Sequence, residues 1–180
     1  NELEIRELVT EYLTEIRRKF PNPQIEDAFF KKVAAGNPLY ILVALEELRI
    51  FGQFEELSDR VGQLPDSVLE LFDQVFERIE SDLNPELVRN CMSYIACGRQ
   101  GMAAEELQTL LSDNVPVLSS SVALNKLPDM LWARLYRSFG PYLFERSGVI
   151  DFFHGQLKEA VGKRYHENET DRNATHKIIA

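Results

Sequence analysis

The sequence is poor in the residues that build covalent or metal frameworks. Its two cysteines, Cys91 and Cys97, have no histidine pair beside them, which supports neither a disulfide framework nor a zinc site and suits a reducing compartment. Long apolar runs are missing as well. None approaches the ~20 residues that span a bilayer, so no membrane association is expected and the location expected is cytoplasmic. Basic residues are in deficit, with twenty Lys and Arg against twenty-nine Asp and Glu for a net charge of −9. Such a balance repels phosphate backbones, and nucleic acid is disfavoured as a partner. The start lacks an initiator Met, a basic n-region and an apolar h-region, and the last residues, Ile178-Ile179-Ala180, are still apolar; the expectation is a piece of a longer chain.

What is present suffices for a core. Across 180 residues, 44% are hydrophobic, 10% aromatic and 27% charged, the balance of an ordinary globular chain. Apolar residues at three- and four-residue spacings predict a helix over 3–20, stopped by Pro21-Asn22-Pro23, and a second over 24–35. Asn37 before Pro38 reads as an N-cap followed by proline at the first helical position, opening a helix whose first half is apolar nearly all round and therefore central. A short helix over 55–61 follows. Leu64-Pro65-Asp66-Ser67 then starts a long one with Val68, Leu71, Phe72, Val75, Phe76, Ile79 and Leu83 as its seam, and Asn84-Pro85 opens another over 85–97.

Charge changes along the chain. Residues 1–90 hold ten basic and nineteen acidic residues, whereas 91–180 hold ten of each, which places a boundary near 84. Beyond it the pattern predicts a turn at 98–101, a helix over 103–111, a polar loop over 112–128, and a helix carrying Leu131, Trp132, Leu135, Tyr136 and Phe139. Tyr142-Leu143-Phe144 and Val149 to Phe153, joined by a turn over 145–148, read as a β-hairpin, and a helix from His154 to Tyr165 comes next. The fold class expected is mainly α, a helical lid bundle over 1–83 followed over 84–180 by a winged-helix domain with a small β-hairpin, continuing past the last residue.

Catalytic chemistry finds no foothold. Gly155 and Gly162-Lys163-Arg164 stand two residues too far apart for a phosphate-cradling P-loop, and Arg164 occupies the place of the metal-binding Ser or Thr. Glu46-Glu47 and Glu105-Glu106 are helical neighbours about 100° apart, which suits solvated or ion-pairing faces better than a shared proton. Asn168-Glu169-Thr170 and Asn173-Ala174-Thr175 match the glycosylation pattern by coincidence, and both cysteines read as core residues. His166 and His176 lie in a wet, acidic segment. His154 differs, standing where the last strand meets a helix: it either caps or packs at that junction, or converges with the free N–H groups of the helix on an anion.

Gly36-Asn37-Pro38-Leu39-Tyr40, leading into Ala44 to Arg49, resembles the Gly-x-Pro-Leu motif of the STAND nucleotide-switch ATPases, the AAA+ relatives that include NACHT proteins. Phe152-Phe153-His154-Gly155-Gln156-Leu157 resembles the histidine motif near the end of their winged-helix domain. Leu64-Pro65, Leu131 to Leu135, Gly140-Pro141-Tyr142-Leu143 and Arg164-Tyr165 are similar in particular to NACHT proteins with WD or TPR repeats, including telomerase-associated-protein-like chains. The resemblance implies a lid and winged helix without the ATPase core, non-catalytic alone, coupling nucleotide state to rearrangement and signalling assembly. It implies Pro38 against the adenine base and His154 on the β-phosphate, with ADP or ATP as the cofactor in the context of a longer ATPase. That protein's own core, further protein partners or self-assembly are the implied partners. Many relatives carry Met before this histidine and Asp after it; here Phe153 and Gly155 stand there, so orientation of the ring by that Asp is absent or differently supplied. The alternative is a winged-helix or helical adaptor that binds protein, or DNA, without nucleotide.

Overall fold

A computed structural model of the chain describes residues 2–17, 19–33, 37–50, 57–114, 127–166 and 169–179. The chain divides into two compact units, Asn1–Val75 and Phe76–Ala180. The first holds α1 (Glu2–Glu15), α2 (Pro23–Val33), α3 (Pro38–Ile50), α4 (Leu57–Gln63) and the first half of α5 (Val68–Asp82). α1 stops five residues short of the expected end. Arg17 takes a φ of 54°, and Phe20 packs from outside the helix against Phe29 and Phe30, with ring centroids 5.3 and 6.2 Å apart. Burying an aromatic ring on α2 outweighs one further helical turn.

Asn–Pro pairs open α2 and α3. Asn22 Oδ1 accepts the N–H of Ile25 at 2.9 Å and Asn37 Oδ1 that of Tyr40 at 2.8 Å, while the following proline has no N–H to leave unsatisfied. α3 buries Leu39, Ile41, Val43, Ala44, Leu45 and Leu48 and is the central helix expected. Glu46 accepts from Tyr12 at 2.6 Å and from Arg49 at 2.9 Å. Glu47, only 2% exposed, is no solvated face.

Ser67 and Glu70 form a reciprocal cap at the start of α5: Ser67 Oγ accepts the Glu70 N–H at 3.3 Å and Glu70 Oε2 accepts the Ser67 N–H at 3.2 Å. The seam read in the sequence is buried, with Leu71, Phe72, Val75, Phe76 and Ile79 at 0% exposure, each contributing about 1.5–3 kcal/mol of transfer free energy.

The second unit continues with α6 (Pro85–Cys97), β1 (Met102–Ala103), α7 (Ala104–Asn114), α8 (Asp129–Phe139), a 3-10 turn (Gly140–Tyr142), β2 (Leu143–Arg146), β3 (Val149–Phe152), α9 (Gly155–Tyr165) and α10 (Glu169–Ile179). Asn84 caps α6 through the Leu87 N–H at 3.0 Å. α6 is the hub, burying Leu87, Val88, Met92, Tyr94 and Ile95 against α7, β3, α9 and α10.

The hairpin is part of a larger sheet than the sequence suggested. β1 joins it on the far side of β3, giving an antiparallel order β1-β3-β2 with Met102 opposite Ile150 and Ala103 opposite Val149. Two residues are too short to show a period of two. The signal was the preceding glycine: Gly101 has a φ of 79°, and a Cβ there would stand 2.3 Å from the Ile150 carbonyl oxygen, so only glycine lets the chain enter beside β3. The hairpin turn is also tighter than expected. Glu145 and Arg146 pair with Ile150 and Val149, leaving Ser147 and Gly148, both with positive φ, as a two-residue turn whose twist matches the strands.

Candidate functional site

Pro38 occupies the first position of α3 and is exposed. Tyr40, two residues on, is turned inward: its hydroxyl donates to the Pro65 carbonyl oxygen at 2.6 Å and its pKa is pushed up to about 12 by burial and by the nearby Asp66 carboxylate. The cap at Asn37 and this anchor hold the helix start, with the rigid Pro38 ring exposed beside them. Gly36, the first residue of the motif, lies outside the described residues.

His154 is the N-cap of α9. Its backbone is extended (φ −146°, ψ 140°) and Nδ1 accepts the N–H of Gln156 at 3.2 Å, while its carbonyl oxygen accepts the Leu157 N–H at 3.1 Å. The two alternatives left open for this residue therefore overlap: one face of the ring caps the helix, and the other is available. Because Nδ1 is an acceptor, the neutral ring carries its proton on Nε2. The residue is exposed, so that N–H points a donor outward at the positive end of a helix. The orienting group that Gly155 cannot provide comes from the backbone amide one residue further on. Phe153, 37% exposed, lies beside the imidazole with 6.3 Å between ring centroids.

The remaining candidates separate cleanly. Cys91 is buried, and burial pushes its thiol far up, which makes it a core residue as expected. Cys97 is half-buried; burial raises its pKa against the opposing charges of Arg172 and Lys158. Among the described residues no group of His, Cys, Asp and Glu could hold a metal ion, and no helix is long and apolar enough to cross a membrane. Glu105 and Glu106 are exposed at the start of α7, where negative charge suits the dipole. On α8, Arg134 donates to the Asp82 carbonyl oxygen at 3.0 Å and Tyr136 donates to Glu145 at 3.0 Å, so part of that helix's polar face is used internally. His166 was read as an unremarkable wet residue. Its Nε2 is in fact buried without a hydrogen-bond partner, which neighbouring sequence could not reveal.

Helix, strand, two helices and a hairpin returning to the first strand define a winged helix-turn-helix domain, here preceded by a helical bundle. The NWD1-like, winged helix-turn-helix domain family model matches residues 56–173, and the chain belongs to that family. Similar chains include a TPR repeat-containing protein of Dictyostelium discoideum, 31% identical over 170 residues and 91% of this chain. NACHT domain- and WD repeat-containing protein 1 of Homo sapiens is 31% identical over 157 residues, 81% of this chain. Telomerase protein component 1 of Mus musculus is 23% identical over 164 residues, 83% of this chain. The chain covers 9%, 10% and 6% of these relatives respectively. No solved structure gives a significant match. The mainly helical fold with its winged helix, and the kinship with NACHT proteins that carry repeats, both stand as the motifs implied.

Proposed function

We propose that this chain is the helical lid and winged-helix module of a STAND/NACHT nucleotide switch, non-catalytic alone, which couples the ADP or ATP state of a longer ATPase to conformational change and signalling assembly in the cytoplasm. The observation that carries the reading is the cap made by His154 Nδ1 on α9, which leaves the neutral ring with its N–H on Nε2, the polarity a phosphate requires. Pro38 suits the adenine in a different way, offering apolar surface with no unsatisfied polar group. ADP or ATP would be held chiefly by the ATPase core of the longer protein. Pro38 would close on the base and His154 on the β-phosphate, and loss of the histidine contact on exchange would release the closed state. The core, and protein partners or a second copy recruited on opening, are the partners this reading requires.

The test uses two substitutions in the longer protein. His154→Ser keeps a good N-cap, but its short side chain carries no N–H and cannot reach where Nε2 stands; His154→Ala removes both functions, at about 1 kcal/mol of stability. Both should release bound ADP roughly tenfold faster, the loss of one charge-assisted or strong hydrogen bond. Only the alanine variant should lower the unfolding midpoint. Unchanged ADP retention in both variants removes His154 from the switch.

An adaptor reading, in which the winged helix binds a protein without nucleotide, is favoured by Phe144 and Phe153, 46% and 37% exposed. Partner binding that ignores both nucleotide and the His154 variants supports it instead.

A further inference from the structure

α6, α9 and α10 wall a cleft of about 680 Å³ that runs along α9 from Lys158 to His166, within the size range of small-molecule sites. Its charge runs against that of the whole molecule. Lys158, Lys163 and Arg172 line it against one carboxylate, Glu159, in a chain whose net charge is −9. His166 lies in the same wall, its Nε2 buried from solvent with no partner, an arrangement that costs about 1–3 kcal/mol.

We infer that this cleft binds a small ligand carrying a chain of phosphoryl groups, held by Arg172, Lys158 and Lys163, with His166 as part of its wall. Arg172 brings a planar fork suited to two phosphate oxygens, and the lysines bring mobile point charges that follow a ligand of more than one phosphate. The field around His166 agrees in sign. Burial first, then Arg172 and Arg89, hold its pKa below the ordinary value, with His176 adding to and Asp171 opposing the effect; a dianion would relieve that cationic crowding. His154 is not among the residues lining the cleft, although Lys158 stands one helical turn from it, so variants at His154 and in the cleft are read separately.

Pyrophosphate is the probe, and Cys97 is a built-in reporter, since it lines the cleft half-buried whereas Cys91 is buried. Titrated into the 180-residue chain, pyrophosphate should slow alkylation of Cys97 saturably with a dissociation constant below about 1 mM, while sodium chloride at matched ionic strength should not. Arg172→Ala and Lys163→Ala should each weaken this protection about tenfold, and Lys177→Ala, which removes a charge from α10 outside the cleft, should not. His154→Ala should leave protection unchanged whatever it does to ADP, so failure here is distinct from failure of the nucleotide-switch reading. Should Arg172→Ala fail to fold, by circular dichroism, the exposed Lys158→Met carries the same test. Protection that never saturates, or that Lys177→Ala weakens as much as the cleft variants, overturns the inference.

Discussion

His154 and His166 stand just before and just after α9 and are used in opposite ways. One spends Nδ1 on the helix start and keeps Nε2 exposed; the other donates its backbone N–H to the Gly162 carbonyl oxygen at 3.0 Å and buries Nε2. Burial of His166, reinforced by Arg172 and Arg89, lowers its pKa from an ordinary value of 6.5. The unfolded chain therefore takes up a proton near that pH which the folded chain resists. The stability this group contributes is intact above about 6.5 and declines as the pH falls through that value toward the folded one. Urea midpoints measured at pH 7.5 and 5.5 should show a drop that His166→Gln partly abolishes, and an identical drop in the variant contradicts the assignment. Capping by His154 was one of the two readings the sequence left open, whereas the burial of His166 Nε2 was not legible beforehand. A histidine's neighbours in sequence say how wet its segment is, but which ring nitrogen meets an N–H, and which meets nothing, depends on backbone angles and on helices remote in sequence.

At the scale of elements, helix starts were the most readable feature because their determinants are local. Asn37-Pro38 and Asn84-Pro85 were read as caps and are caps; Asn22-Pro23 does the same, although it was read only as a stop. β1 escaped because its existence depends on Ile150, 48 positions later. The tie between α5 and α9 is likewise nonlocal. Arg164 grips Glu80 with two hydrogen bonds, 2.7 and 3.1 Å, and the Tyr165 hydroxyl donates to the same carboxylate. Burial by itself would raise the Glu80 pKa, but these hydrogen bonds and the Arg164 charge outweigh it and hold the carboxyl below its ordinary 4.5. The stabilisation is present above that pH and lost as the pH falls below it. Glu80→Gln should cost roughly 1–3 kcal/mol at pH 7 and flatten the acid limb of a stability profile between about pH 5 and 3. A variant that retains the full acid limb would locate that limb elsewhere.

For the molecule as a whole, net charge bears on nucleic-acid binding. With −9 overall and Glu105 and Glu106 exposed on α7, three cations gathered in one cleft are too few to neutralise a long run of backbone phosphates. Duplex DNA should show no saturable binding by fluorescence anisotropy at about 150 mM salt, and micromolar or tighter binding would revive a DNA-reading role. Composition and periodicity were enough to establish a helical chain with a wing, because apolar spacing, caps and net charge are summed over neighbours and survive without coordinates. The motif order around Pro38 and His154 carried the family for the same reason. The third strand, the early end of α1, the buried Glu47, the Nε2–H tautomer of His154 and the basic cleft around His166 required the folded chain. Each arises where residues far apart in sequence compete for the same hydrogen bond or the same buried volume, and that competition is resolved by packing.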